Sequence, residues 1–501
     1  MIGHDASRPL LDKIDAREAA LTCEAEQTRV RIDEVIDRSA DRDSRVTRPW
    51  HTAVPGCGLM GFDMTDQNTT AGWRQVNVAC DDWRSAERWA SPSMMIKAEG
   101  AGAITGNADR LRDDLADYIK SWGMFRTPQV EAAFRTVPRH LFLPGVALDV
   151  AYGRKPVVTR RAADGTSVSS ASSPKLVAAM LEQLAVEPGQ RVLEIGAATG
   201  INAALLAELV GPTGGVVTIE LDDDLAAGAA ESLEAAGYPQ VEVVCGDGAL
   251  GVPNRAPYDR IIVTAEAWDL VPAWWDQLTV GGRLVVPLRL HGSGLTRAIA
   301  FDLHQPDHMI STSAVVCGFV PMRGLAEHAE QHVRLADDVV LKVDVDDLPD
   351  DTALARTLTH PGQEHWPGIH VRHDEPAEHL DLWLVTTAAH RFGRLSVGQQ
   401  ARTTGLANPA MRWGGAALYD GGTLTYIVTC DIDDDTLELG IVAHGPDSVK
   451  LAGHTTDLLH RWDRERPSRP VITACRTDTN PGANTAETRI VRPHTAVTVT
   501  W

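Results

Sequence analysis

Cysteine is scarce in this chain of 501 residues, which has seven, widely spaced and without a CxxC pair. The odd count and wide spacing argue against a disulfide-rich scaffold, and without CxxC or HExxH sequences no metal site is predicted. We expect reduced thiols in a cytoplasmic protein, although a single disulfide remains open. Long apolar runs are also missing. None approaches the roughly 18 residues of a membrane span, and the N-terminus shows no signal-peptide pattern, so no membrane partner is expected.

Basic residues are in deficit as well, with 47 Lys and Arg against 68 Asp and Glu and a net charge of −21. This balance argues against the extended basic surface that nucleic-acid binding needs, so nucleic acid is not an expected partner. The length exceeds what one hydrophobic core supports and predicts two to four domains.

The most informative stretch is VLEIGAATGINAALLAELV, residues 192–210. Its apolar run, small residues and alanine- and leucine-rich end predict a buried parallel strand, a tight turn and a helix. Small residues let a ligand approach the backbone, and the N–H groups of the first helical turn can hold an electron-rich group. The residues expected to contact the ligand here are Gly196, Ala197, Ala198, Gly200 and Asn202.

Strands and helices alternate after this stretch. Strands are predicted at 191–195, 216–221, 241–245, 260–263 and 283–288, and helices at 202–210, 222–236 and 272–278. The alternation predicts a doubly wound α/β fold, a Rossmann-like parallel sheet with right-handed crossovers. Ligands of such sheets bind at the carboxyl ends of the strands.

Three acids fall within or just after these strands. Glu220 lies about 20 residues after the turn, where a carboxylate can accept hydrogen bonds from both ribose hydroxyls. Asp247, followed by Gly248, can accept from an adenine amino group. Glu194, inside the first strand, needs a partner such as the ammonium of an amino-acid ligand. Solvation at a strand end explains each acid singly, whereas together they indicate a nucleoside-bearing cofactor.

The glycine spacing discriminates between cofactors. A dinucleotide site needs G-x-G-x-x-G, and a P-loop needs a following lysine. The pattern here is Gly196, Ala198 and Gly200 without that lysine. It therefore favours S-adenosyl-L-methionine, which has no phosphate.

Serines are concentrated upstream, in SVSSASSP at residues 167–174. The segment places five of them before a proline and an apolar-periodic helix. Capping of the helix start accounts for one or two. We therefore expect other hydroxyls of this segment to face a ligand.

Seven motifs in order resemble those of the protein-L-isoaspartate O-methyltransferases. They are VPRHLFLP, SASSP, VLEIGAATG, the acid Glu220, CGDG at 245–248, GGRLVVPL at 281–288 and GFVPMRG at 318–324. The resemblance spans roughly residues 108–325 and implies a class I methyltransferase fold that uses S-adenosylmethionine. It also implies cofactor contacts by Leu221, Ala249 and Thr264. The acceptor carboxylate would be held by Ser169, Ser170 and Ser172. Ala198 departs from the family pattern, which has a middle glycine.

The serine-rich SSASSP form and the C-terminal extension look like methyltransferases of lanthipeptide gene clusters, sometimes called the FxLD system. This resemblance implies methylation of an aspartate side chain in a lanthionine-bearing precursor peptide, then succinimide formation and hydrolysis largely to isoaspartate. Substrate contacts are expected from Arg160, Arg161 and Ser173. Two alternatives remain: general isoaspartate repair, and a scaffold that binds the cofactor with weak turnover.

The two ends of the chain give less specific patterns. Residues 1–107 are predicted to be a polar extension, in which 73–90 resembles the opening of a small domain of thiopeptide and lantibiotic dehydratases. Residues 326–501 are predicted to form an α+β domain that recognises the peptide. Its strands are expected at 379–387, 423–430, 438–445 and 496–501, with a helix at 448–463. Trp413, in a turn before two glycines, is predicted to be exposed and to contact substrate.

Overall fold

The computed structural model of the protein describes residues 101–163, 165–344, 351–477 and 488–501. Most of the predicted N-terminal extension, including the dehydratase-like stretch at 73–90, lies outside the described residues. Its last residues belong to the first helix, α1 (Ala101–Ser121). No helix in the described ranges is long and apolar enough to cross a bilayer.

Three helices and a small hairpin precede the large sheet. The helices are α1, α2 (Pro128–Thr136) and α3 (Leu148–Ala151), and the hairpin consists of β1 (Val157–Arg161) and β2 (Ser167–Ala171). The side chain of Thr127 caps α2 by accepting a hydrogen bond from a backbone N–H of its first turn. β1 and β2 pair only with each other, so the serine segment forms one strand of an isolated two-stranded ribbon. Such a ribbon is marginal on its own and depends on anchors elsewhere.

A doubly wound sheet follows and confirms the predicted Rossmann-like fold. Its strands are β3 (Arg191–Ile195), β4 (Gly215–Glu220), β5 (Glu242–Cys245), β6 (Tyr258–Val263), β7 (Leu278–His291), β8 (Leu295–Gln305) and β9 (His308–Val316). The main helices around them are α4 (Pro174–Leu184), α5 (Ile201–Val210), α6 (Asp223–Ala235) and α7 (Pro272–Gln277). β5, β4, β3, β6 and β7 are neighbours in that order and parallel. The chain winds outwards from β3 to β5 and then crosses to β6, which puts the reversal of winding beside β3.

The C-terminal region contains a second, antiparallel sheet. Its strands are β10 (Gln331–Ala336), β11 (Val339–Val343), β12 (Gln363–Arg372), β13 (Arg391–Val397), β14 (Ala416–Asp420), β15 (Thr423–Asp431) and β16 (Thr436–His444). The helices of this region are α8 (Asp351–Leu354), α9 (Leu380–Thr387), α10 (Gln399–Thr403) and α11 (Ser448–Glu465). The strand order is β10-β11-β13-β14-β15-β16-β12. The predicted strands at 423–430 and 438–445 and the predicted helix at 448–463 are present.

The predicted strand at 379–387 is wrong, because this segment is the helix α9. Leu380, Leu382 and Leu384 suggested a period of two, yet Asp381 and Trp383 between them are buried as well. A short apolar segment that is buried all round cannot be assigned to helix or strand from periodicity.

The last strands do not belong to the second sheet. β17 (Val471–Arg476), β18 (Thr488–Val491) and β19 (Thr495–Thr500) extend the first sheet beyond β9, in the order β9-β17-β19-β18. The structure therefore differs from the expected single domain at 326–501. Buried apolar side chains of β17 and β19 share one core with those of β6 and β7, and this burial holds the returning strands to the first sheet.

Candidate active site

The turn after β3 is shaped by residues that tolerate unusual backbone angles. Gly196 has φ +97°, and a Cβ there would lie 2.8 Å from the Thr264 hydroxyl oxygen. Gly248 faces the same region, and a Cβ on it would lie 2.5 Å from a methyl of Ile195. The Thr264 hydroxyl lies 2.9 and 2.7 Å from the carbonyl oxygens of Ile195 and Gly196. The backbone at the end of β3 is thus open to a ligand and rigidly held from behind.

Glu220, at the end of β4, fixes the same turn. Its Oε2 accepts a hydrogen bond from the Ala198 N–H at 2.9 Å, and its Oε1 accepts one from the Leu221 N–H at 3.0 Å. Oε1 also accepts from the Asp222 N–H at 3.4 Å, so about one of the four lone-pair sites of this buried carboxylate, on Oε2, is left for a ribose hydroxyl.

A cleft of about 660 Å³, counting the space open to solvent, lies at these strand ends. Four parts of the chain line it: the ends of β3 and β4, the serine strand, the region after β5 and β6, and residues 319–323. Its lining includes Gly196, Ala198, Glu220, Leu221, Gly248, Thr264, Val168, Ser169, Ser170, Phe319 and Arg323.

A second cleft of about 470 Å³, which also counts space open to solvent, adjoins the first. Both are lined by Ser170, Gly196, Ala198, Thr264 and Phe319. The second adds Ser172, Glu194, Ala197, Thr199 and Asn202. The predicted cofactor turn and the predicted acceptor serines therefore border one continuous space.

Residues 319–323 were not among the predicted site residues, although they belong to the GFVPMRG motif. They are held against the strand ends by Glu266, whose N–H donates to Val320 O at 2.8 Å and whose carbonyl accepts from Met322 N at 2.9 Å. An apolar loop gives little chemical indication of a ligand site. The motif itself was the available signal.

Glu194 does not need the ligand ammonium that was predicted for it. It is fully buried, and its two oxygens accept hydrogen bonds from Asn202 Nδ2 and Thr218 Oγ1, each at 2.7 Å. Asn202 is thereby engaged with Glu194 as well as lining the second cleft. Burial raises the pKa of the Glu194 carboxyl to about 7, even though both hydrogen bonds lower it.

This buried carboxyl predicts a stability that depends on pH. The folded-state pKa lies above the ordinary value of 4.5. The contribution of this carboxyl to the unfolding free energy is therefore fully present below pH 4.5 and is lost as the pH rises through 7. Glu194→Gln removes the ionisable group. We expect the unfolding free energy of the variant minus that of the wild type to increase by about 3 kcal/mol between pH 4.5 and pH 8. Urea unfolding across this range measures it. The exposed Glu187→Gln serves as control, and a constant difference for Glu194→Gln would contradict the assignment.

Asp247 lies beside the first cleft without lining it. Its Oδ1 accepts from the Ala249 N–H at 2.8 Å and its Oδ2 from the Leu325 N–H at 2.7 Å. The carboxylate thus holds the short 3₁₀ turn Gly324–Ala326 near the cleft. Ala249 is buried next to it, while Gly248 reaches the lining. The contact of Asp247 with adenine stays a prediction.

The serine segment is anchored at its base. The buried guanidinium of Arg139 donates to the carbonyl oxygens of Ala151 at 2.8 Å and Ser172 at 3.2 Å. Ser169 accepts a hydrogen bond from the Thr159 hydroxyl at 2.9 Å, which leaves its own hydrogen for another acceptor. Ser173 immediately precedes α4 and donates to the Arg154 carbonyl oxygen at 3.3 Å, and it lines neither cleft.

The two predicted substrate arginines differ in position. Arg160 Nη1 lies 3.5 Å from Asp222 Oδ2, an oxygen that Arg323 Nη2 also contacts at 2.5 Å. Arg323 holds the pKa of Asp222 below its usual range. Arg161 instead donates to Gly165 O and Ser167 Oγ within the hairpin. Asp222 therefore links the hairpin, the end of β4 and the 319–323 segment.

Loosening that link is expected to impair binding of the predicted peptide substrate. Asp222→Asn weakens the ion pairs with Arg160 and Arg323, which are partly exposed and together contribute about 1 kcal/mol. We expect the KM for a peptide substrate to rise about fivefold while kcat changes little. Steady-state kinetics checks this, with the neighbouring exposed Asp224→Asn as control. An unchanged KM would show that Asp222 does not position the hairpin.

Trp413 is not the exposed aromatic residue that was predicted. It is 1% exposed, and its indole N–H donates to the Ala377 carbonyl oxygen at 2.7 Å. Gly414 and Gly415, both at positive φ, turn the chain so that the indole packs into the core. Trp413 is a structural anchor and cannot contact a peptide in this structure.

Ala198 has φ +48°, in the left-handed region that disfavours a side chain by about 1 kcal/mol. Ala198→Gly is expected to relieve this strain and to raise the unfolding free energy by up to about 1 kcal/mol. Because Ala198 lines both clefts, loss of its methyl group is also expected to let the cofactor approach more closely and to tighten S-adenosylhomocysteine binding severalfold. Ala197→Gly, at negative φ, should show neither gain. Calorimetry and thermal unfolding make the comparison, and weaker binding by Ala198→Gly would contradict it.

The residues present fit S-adenosylmethionine. The turn offers close backbone approach, Glu220 offers an acceptor, and no described residue hydrogen-bonds the buried Thr199 hydroxyl, which borders the second cleft. A buried polar group without a hydrogen-bond partner is unfavourable unless a ligand supplies that partner.

Comparison with known proteins identifies relatives of this part of the chain. The sequence pattern of the family "Protein-L-isoaspartate(D-aspartate) O-methyltransferase (PCMT)" matches residues 110–327. A protein-L-isoaspartate O-methyltransferase of Methanopyrus kandleri is 43% identical over 180 residues, 36% of this chain and 77% of the relative. That of Hyperthermus butylicus is 38% identical over 222 residues, 42% of this chain and 88% of the relative. A solved protein-L-isoaspartate O-methyltransferase structure covers 72% of this chain and 96% of its own, at 23% identity and a TM-score of 0.42. The chain belongs to the protein-L-isoaspartate O-methyltransferase family, whose members are S-adenosylmethionine-dependent carboxyl methyltransferases.

Proposed function

We propose that this enzyme methylates the free carboxylate of isoaspartyl residues in peptides or proteins. The observation that carries the proposal is the continuous space bordered by the Gly196 turn on one side and by Ser169, Ser170 and Ser172 on the other. Donor and acceptor can lie next to each other there. The family relatives are named for the same activity.

The chemistry requires positioning more than proton transfer. S-adenosylmethionine, when bound, supplies an electrophilic methyl group. The acceptor carboxylate is already ionised at neutral pH, so no general base is needed, and alignment supplies much of the rate. The Ser169 hydroxyl, whose oxygen already accepts from Thr159, has its hydrogen available for one carboxylate oxygen. Ser170 borders both clefts, and in this proposal it orients the acceptor.

The methyl ester then prepares a further step on the peptide. The following backbone amide nitrogen attacks the ester carbonyl, loses its proton and expels methanol, which gives a succinimide. Water opens this ring at either carbonyl to aspartate or isoaspartate. None of these later steps needs a residue of the enzyme.

A second candidate is the aspartate side chain of a lanthionine-bearing precursor peptide. The observation that favours it is the seven-stranded sheet of residues 331–444, which lies outside the segment that matches the family. Under this alternative, residues 326–470 recognise rings or leader of the peptide and the serine-rich segment receives its aspartate. A scaffold with weak turnover is the third alternative, and the strained Ala198 is its support.

Substrate competition tests these proposals. Three peptides of one sequence carry isoaspartate, linear aspartate, or aspartate within a lanthionine ring, and incorporation of labelled methyl groups is measured. We expect the isoaspartyl peptide to be preferred. Preference for the ring peptide would replace the first proposal by the second, and cofactor binding without transfer to any peptide would favour the scaffold.

A further inference from the structure

Two cations lie against two aromatic rings beside the serine segment. The Arg154 guanidinium carbon is 4.1 Å from the centroid of the Tyr118 ring, and the Lys175 ammonium is 4.0 Å from that of Trp122. The two rings are 6.2 Å apart in an edge-to-face arrangement. We call these four residues the cation–aromatic patch.

The patch is accessible and positively charged in a strongly acidic protein. Trp122 is 43% exposed, and Arg154 is exposed as well. Stacking uses the face of a guanidinium and leaves its N–H groups available at the edge. Within the described residues, Arg154 and Lys175 contact the rings and neither forms an ion pair.

Acids on the same helix do not neutralise the patch. Asp113 and Asp117 of α1 pair with Arg135, at 3.3 and 2.5 Å. Asp114 pairs with Arg110 at 3.1 Å. The patch therefore keeps a net positive charge that an incoming carboxylate can meet, in a chain whose net charge of −21 repels acidic partners elsewhere.

The patch adjoins the acceptor side of the site. Ser173 donates to the Arg154 carbonyl oxygen, and Lys175 lies in the first turn of α4, three residues after Ser172, which borders the second cleft. An extended peptide covers about 10 Å in three residues. A side chain two to four residues from the acceptor can thus reach the patch.

We propose that the cation–aromatic patch binds an acidic side chain of the peptide substrate, two to four residues from the methylated residue. The inference rests on the proposed function in that the acceptor is part of a peptide. Arg154 and Lys175 supply the charge, and Tyr118 and Trp122 hold both cations in place, which reduces the entropy lost on binding. The patch selects substrates with acidic flanks.

Binding of matched peptides tests the patch without requiring turnover. Isoaspartyl peptides flanked by two Glu, two Gln or two Lys at these positions, on either side, are titrated into the full chain with S-adenosylhomocysteine present. Two partly exposed ion pairs predict a Kd for the Glu peptide about five- to tenfold below that of the Gln peptide at low salt, shrinking as salt rises. The Lys peptide should bind most weakly.

The double variant Arg154→Gln and Lys175→Gln should bring the Glu-to-Gln ratio of Kd to about one. Lys450→Gln, which removes an exposed cation of α11 that takes no part in the patch, should keep the wild-type ratio. Circular dichroism checks that the variants fold. A ratio near one in the wild type, a preference that survives the double variant, or no peptide binding would each overturn the inference. The inference would also be overturned if the chain showed no preference among the peptides but bound phosphatidylserine vesicles, and if the double variant weakened that vesicle binding.

Methyl-transfer assays on the same peptides, with S-adenosylmethionine in place of S-adenosylhomocysteine, separate this inference from the proposed function. Acidic preference without methyl transfer supports the patch and contradicts the function. Methyl transfer that ignores the flanking residues supports the function and contradicts the patch.

Discussion

Glu220→Ala is expected to weaken S-adenosylmethionine binding by about 100-fold. The carboxylate both offers an acceptor to the ribose and holds the Ala198 and Leu221 N–H groups. A hydrogen bond to a charged group contributes about 1.5–3 kcal/mol, and loss of a ribose bond together with loosening of the turn corresponds to about two orders of magnitude in Kd. Calorimetric titration with S-adenosylhomocysteine measures the effect.

Two further variants sharpen this result. Glu220→Gln retains one acceptor oxygen and should fall between wild type and alanine. Glu231→Ala, an exposed acid on α6, should bind as the wild type does. Wild-type affinity in Glu220→Ala would show that the cofactor lies elsewhere.

Removal of residues 471–501 is expected to prevent folding of the methyltransferase sheet, although these residues lie far from the family motifs. Ile472, Val497 and Val499 are buried in the core shared with β6 and β7. Burial of each such side chain stabilises by about 1.5–3 kcal/mol, so the sum approaches the whole stability of a typical domain. The deletion also exposes the edge of β9, which favours aggregation. Soluble yield and cooperative unfolding of the shortened chain are the measurements.

Two point variants test whether the fold needs the buried side chains of these strands or only the full length of the chain. Val497→Asp places a charge in the core and should abolish cooperative unfolding, whereas Val491→Asp, at a position that is 62% exposed, should be tolerated. A folded, active chain ending at residue 470 would contradict the shared core.

Much of the first sheet follows from local patterns. The alternation of apolar strands with helices placed β3 to β7 within a few residues, because each unit is bounded by its own turn and cap signals. The position of the last strands was not predictable in this way. Thr473 pairs with Ile310 across more than 160 residues of chain, and no local pattern specifies which sheet edge a distant strand joins.

The site residues likewise divide into those that local sequence patterns predict and those that they do not. Gly196 and Glu220 were predictable since turn and strand end follow from spacing, and the structure brings both into one cleft. The partner of Glu194 was not, because Thr218 is its neighbour only through the register of β3 with β4. Phe319 was not predicted either, because the sequence around an apolar loop residue does not indicate which cleft it lines in the folded chain.

We expect cofactor and acceptor to meet between the Gly196 turn and the serine strand. A crystal structure with S-adenosylhomocysteine and an isoaspartyl peptide tests it most directly. We predict the ribose on Glu220 and the free carboxylate beside Ser169 and Ser170, with one of its oxygens about 3–3.5 Å from the position of the transferred methyl carbon. A cofactor away from Glu220, or a peptide carboxylate bound away from the serine strand, would contradict the claim.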